Sequence, residues 1–106
     1  MNKIIKEMTL EDKIALCSGK DFWQTKSFEK YGIPSIFMSD GPHGLRKQDV
    51  GKGTDMLGVN KSFPATCFPS EVTTASSFDT ELLEEIGSAI GKEAKQLNVA
   101  LTLGPG

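Results

Sequence analysis

Apolar positions recur with a helical period in two segments of the chain and bunch into short runs in two others. The first period begins at Thr9-Leu10-Glu11-Asp12. Thr9 can cap a helix, Asp12 stands three residues later where its carboxylate can reach back, and Leu10, Ile14 and Cys17 follow at helical spacing until Gly19. This predicts a helix over 9–18. Gly32-Ile33-Pro34 then breaks the chain, and the apolar run ending at Met38 predicts a buried strand over 35–39. Residues 41–78, rich in Gly, Pro, Ser, Thr and Asn, sustain no period and read as a long loop region, which in a compact domain points to a functional loop.

The strongest pattern lies over 80–97. Leu83, Ile86, Ile90, Ala94 and Leu97 form one stripe, Asp79 can cap, and acidic residues gather in the first turns with Lys92 and Lys95 in the last, as the helix dipole favours. Gly87 and Gly91 weaken such a helix, so close packing against a sheet is expected there. A second strand is predicted over 99–103. Strand, helix, strand in this order implies a parallel pair joined by a right-handed crossover. Two strands cannot close a barrel, which typically needs about 250 residues. The pattern therefore predicts an α/β fold that is roughly the opening quarter of a larger domain.

With 106 residues, 38% hydrophobic and 25% charged, and a net charge of -2, the chain has the composition of an ordinary globular protein. No basic cluster exceeds Arg46-Lys47, which argues against nucleic-acid binding. No apolar run approaches membrane-span length, so no membrane partner is expected. The opening Met1–Met8 stretch lacks the apolar core and cleavage pattern of a secretory signal. Cys17 and Cys67 match no zinc or redox spacing and read as free thiols, so a cytoplasmic location is expected. Asn60-Lys61-Ser62 matches a glycosylation sequon and is read as coincidence.

The candidate chemistry lies in Ser39-Asp40-Gly41-Pro42-His43-Gly44-Leu45-Arg46. A carboxylate at a strand's carboxyl end accepts hydrogen bonds from vicinal hydroxyls, and a guanidinium six residues later offers a planar fork of donors. A sugar ring, whose hydroxyls donate and accept, takes both. The bland alternative for Asp40 is an Asx turn. His43, the one histidine, reads as structural rather than catalytic. Phe22 and Trp23 could form an aromatic face for a pyranose or simply pack in a core. Cys67 has no activating neighbour and sits in a proline-braced loop. Glu71 and Asp55 read as solvated. Gly51-Lys52-Gly53-Thr54 lacks the earlier glycine of a phosphate loop, and no dinucleotide or zinc-protease motif occurs, so no metal and no cofactor are expected.

Residues 39–46, together with Leu16-Cys17-Ser18-Gly19-Lys20-Asp21-Phe22-Trp23, Phe63-Pro64-Ala65-Thr66-Cys67-Phe68-Pro69 and Leu103-Gly104-Pro105-Gly106, resemble the amino-terminal part of glycoside hydrolase family 3 enzymes of the β-glucosidase type. The motifs occur in the family's order and span nearly the whole chain. The resemblance implies that residues 1–106 are the amino-terminal part of an incomplete TIM-barrel-type (β/α) domain. It implies a retaining β-glucosidase-like activity on a β-glucoside or oligosaccharide, with Asp40 and Arg46 contacting the glycone. It further implies that both catalytic carboxylates lie beyond this sequence, in the remainder of the barrel and a following domain, so that the chain alone holds none of the catalytic residues. The rival reading is a non-catalytic fragment or weak sugar-binding module, and a phosphate-binding α/β protein is a third.

Overall fold

Thr9 caps the first well-formed helix as its position suggests. Its Oγ1 accepts from the Asp12 N–H at 3.2 Å, and helix α2 runs from Leu10 to Leu16, after a shorter helix α1 over Lys3–Glu7. The structure, a computed structural model, describes residues 3–49, 51, 53 and 59–104. Asp55, the Lys52 and Thr54 of the glycine-containing stretch, and Pro105-Gly106 of the closing motif lie outside the described residues. The chain divides into two compact units, Met1–Phe37 and Met38–Gly106.

In the first unit the Asp12 carboxylate is held chiefly by two residues distant in sequence, with a lesser side-chain hydrogen bond to its cap Thr9. It accepts from Lys30 Nζ at 2.8 Å and from the Tyr31 hydroxyl at 2.7 Å, while the Thr9 N–H is directed to that hydroxyl at 3.4 Å. Lys30 and Tyr31 are brought there by a 3-10 turn over Glu29–Tyr31, which Gly32 ends at φ 66°, a left-handed position suited to glycine. These donors, Lys30 first, hold the Asp12 carboxyl at about 2, below the ordinary 3.8. Met8 and Trp23 are buried in this unit, so Trp23 takes the core role. Leu10 and Ile14, the predicted apolar face of α2, are 67% and 61% exposed.

The second unit is built on a parallel pair, β1 (Met38–Ser39) and β2 (Leu101–Thr102), in the register Met38↔Leu101 and Ser39↔Thr102. The parallel pairing matches the strand-helix-strand expectation, with strands shorter than predicted. The Leu103 N–H extends the pairing to the Ser39 carbonyl at 2.9 Å. Between the strands runs α4, Thr80–Gln96, opened by Asp79 Oδ1, which accepts from the N–H groups of Glu81 and Leu82 at 3.1 and 3.0 Å. It closes in a Schellman turn: Asn98 adopts φ 53°, its N–H donates to the Lys95 carbonyl, and the Val99 N–H donates to Ala94 at 2.8 Å. Leu45, Ala94 and Val99 are the buried apolar residues here among the described residues.

Two expectations need correction. Residues 41–78 are not loop throughout: α3 occupies Glu71–Ala75. And Gly87 and Gly91 are not in close packing, since a Cβ at either would meet nothing within 4 Å. At Gly87 the space is a cavity between α4 and the loop that follows β1. No helix among the described residues is long and apolar enough to cross a membrane.

Candidate functional site

Residues 40–46 leave β1 in a turn that only glycines can make. Gly41 and Gly44 adopt φ 146° and 134°, and a Cβ would fall 1.6 Å from the Gly44 carbonyl oxygen in the first case and 2.2 Å from the Thr66 oxygen in the second. The Arg46 N–H closes the turn on the Asp40 carbonyl at 2.9 Å. The turn is pressed against the proline-braced segment, whose Phe68 N–H donates to the His43 carbonyl at 2.6 Å.

Both layers are tied to α4. Glu93 accepts from the Thr66 hydroxyl at 2.5 Å and from its N–H at 3.2 Å, and Lys47 Nζ donates to the Leu97 carbonyl at 2.6 Å. The last contact also satisfies a carbonyl at the helix end with a cation, where the dipole favours one. A loop without secondary structure is thus held at several points by a regular helix.

Beneath the turn lies a cavity of about 360 Å³. Asp40, His43 and Glu71 supply its ionisable lining, and Phe68, Ile86 and Ile90 contribute to its largely apolar wall. Asp40 is exposed at this cavity. Arg46 is also exposed, but it is not among the lining residues, and what joins it to Asp40 is the backbone hydrogen bond. The solvated reading of Glu71 is overturned. Its Oε2 lies 3.3 Å from His43 Nδ1, and its Oε1 is buried without a hydrogen-bond partner among the described residues. Sequence reasoning missed Glu71 because it missed α3. Once that helix is seen, an acidic residue in its first turn is the recognisable signal.

Cys17 and Cys67 are exposed free thiols. Among the described residues no group of three or more His, Cys, Asp or Glu side chains could hold a metal ion. What the site offers chemically is an exposed carboxylate and a guanidinium on a rigid turn, over an apolar hollow with a second carboxylate in its wall.

No family model matches the chain. Curated proteins do. The chain is 56% identical, over all of its 106 residues, to a thermostable β-glucosidase B of Acetivibrio thermocellus, covering 14% of that protein. It is 43% identical over 96% of its length to an exo-α-(1→6)-L-arabinopyranosidase of Bifidobacterium longum, covering 13% of it. Among solved structures, the β-glucosidase of Kluyveromyces marxianus in complex with glucose superposes with a TM-score of 0.83 at 38% identity, over 97% of this chain and 11% of that one. The GH3 β-glucosidase of Bifidobacterium adolescentis gives 0.76 at 40% identity, over 95% and 13%. The chain thus spans about an eighth of the length of these relatives, with both sequence and backbone in agreement along that stretch.

Proposed function

The chain belongs to glycoside hydrolase family 3, whose β-glucosidases it matches along one stretch of their length, and from that premise we propose that the protein carrying it hydrolyses O-glycosyl bonds and releases a terminal β-D-glucosyl or related residue. In this reading β1, α4 and β2 form an early part of a barrel-type domain, and Asp40 and Arg46 contribute to the pocket that holds the glycone. The observation that carries it is the Asp40 carboxylate, exposed at the end of a strand on a turn fixed by two glycines, within a chain whose relatives are named as glycosidases. The free thiols suit a reducing compartment such as the cytoplasm.

Asp40 accepts hydroxyl hydrogens with both oxygens, and Arg46 donates to ring or hydroxyl oxygens. Contacts of this kind accelerate the reaction where they tighten as the ring flattens toward the oxocarbenium-like transition state. Retention requires a nucleophile and an acid/base carboxyl about 5 Å apart across the scissile bond. A carboxylate engaged with hydroxyls serves neither role, so both are assigned to segments outside this sequence.

The test is Asp40→Asn in the protein that carries the sequence. Loss of a charge-assisted hydrogen bond, worth roughly 1.5–3 kcal/mol, should lower kcat/KM by at least about tenfold. A smaller loss, with the variant folded, removes the sugar contact. It would then favour the rival view of a segment that binds sugar weakly or not at all.

A further inference from the structure

We infer that Glu71, acting through His43, is a positioning residue for the turn that carries Asp40, and that protonation of His43 strengthens its hold. The inference rests on the glycone reading of that turn. His43 is the midpoint of residues 40–46. Its carbonyl is fixed by the Phe68 N–H at 2.6 Å, so its side chain can transmit force to the turn without being lost to rotation of the backbone. The imidazole then meets Glu71 at 3.3 Å, and Glu71 belongs to α3, a separate element. The contact therefore latches the turn to a helix.

Its chemistry changes with proton uptake. With neutral His43, Nδ1 can donate one ordinary hydrogen bond. With imidazolium, the contact becomes an ion pair, in a wall where the second oxygen of Glu71 is buried without a partner among the described residues. A carboxylate left so poorly satisfied gains more from a cation than a solvated one does. The groups facing His43 are few. Its own turn carries Asp40 and Arg46, α3 carries Glu71, and the cavity faces of α4, of Phe68-Pro69 and of β2 present no ionisable side chain. Among the described residues Glu71 is the one carboxylate in ion-pair range of His43.

Neither residue is placed against the sugar, so neither is called catalytic. Their effect reaches substrate through the orientation of Asp40.

The test is kcat/KM on an aryl β-glucoside for wild type, Glu71→Gln, His43→Gln, the double variant and Asp40→Asn, in the protein that carries this sequence, between about pH 5 and pH 8. Taking the ratio of wild type to variant cancels the titration of the reacting carboxyls. The expected ratio for Glu71→Gln is about fivefold larger at the acid end than at the alkaline end, as the ion pair gives way to a hydrogen bond that Gln can still accept. His43→Gln should abolish that pH dependence, and the double variant should lose no more than the worse single. Ratios that stay flat with pH while Asp40→Asn remains crippling overturn this inference alone. If Asp40→Asn is harmless, the glycone reading falls and the positioning role falls with it. Should Glu71→Gln fail to fold, a flat wild-type to His43→Gln ratio still overturns the proposal, and a sloping one still supports it.

Discussion

Gly44→Ala is the substitution whose cost follows most directly from the geometry. Gly44 holds φ 134°, and its Cβ would stand 2.2 Å from the Thr66 carbonyl oxygen and 3.4 Å from Phe68 Cδ2. Relief to an ordinary contact of 3.4 Å requires the two segments to part by about 1.2 Å, the difference between 3.4 and 2.2. Thr66 cannot yield freely, because Glu93 grips both its hydroxyl and its N–H. Parting also stretches the 2.6 Å bond from the Phe68 N–H to the His43 carbonyl beyond useful range. A lost hydrogen bond of about 1 kcal/mol and a strained backbone of roughly 1–3 kcal/mol together predict about 2–4 kcal/mol of destabilisation. Two substitutions serve as references. Gly32→Ala has φ 66° and nothing within 4 Å, so it should cost about 1 kcal/mol from conformation alone. Gly87→Ala lies inside α4 with nothing within 4 Å and should stabilise by about 0.5–1 kcal/mol. Urea unfolding followed by far-UV circular dichroism measures all three. A Gly44→Ala cost no greater than that of Gly32→Ala would refute the steric argument.

Asp12 should titrate at about 2 rather than 3.8 in a carboxyl carbon NMR titration, because Lys30 and Tyr31 hydrogen-bond to its charged form. Its folded value lies below its unfolded one, so its contribution is present above about pH 4 and is lost as pH falls through about 2. Lys30→Met should move the midpoint upward, and an unmoved midpoint would remove Lys30 as the cause. Asp79→Ala should cost about 1 kcal/mol by freeing the N–H groups of Glu81 and Leu82, as read by thermal unfolding; a cost below about 0.3 kcal/mol would deny the cap.

What could be read from the sequence depended on whether an element announces itself through its own residues. Helix α4 has a stripe, an Asp at its N-cap and charges suited to its dipole, and the structure has it over Thr80–Gln96. Helix α2 was legible through Thr9, although the partner of Asp12 was not, since Lys30 and Tyr31 are distant in sequence. Helix α3 was hidden. Its five residues are too few for a period, Val72 is 78% exposed, and Thr74 and Ser76 bond back to carbonyls of the preceding turn. With α3 went Glu71. The apolar runs at 35–39 and 99–103 located the strands but not their length, because a ladder extends only as far as its partner, here two residues each. The glycine pair in α4 suggested contact, and the structure has open space at both positions, a matter of what stands opposite rather than of local preference.

The tie between Lys47 and the Leu97 carbonyl joins residues 50 apart in the chain, and Thr66 reaches Glu93 across 27. Order of synthesis gives this a consequence. At roughly 5–20 residues per second, the turn leaves the ribosome about 3–10 s before the helix end that secures it. During that interval the turn has its contacts with itself and with Phe68 and Glu71 but not its tie to α4, so the closure of the longest loop is unrewarded. The turn after β1 is thus fully secured only late in the synthesis of its unit, and a nascent chain halted shortly before Leu97 would carry the whole turn motif without the tie from Lys47 to α4.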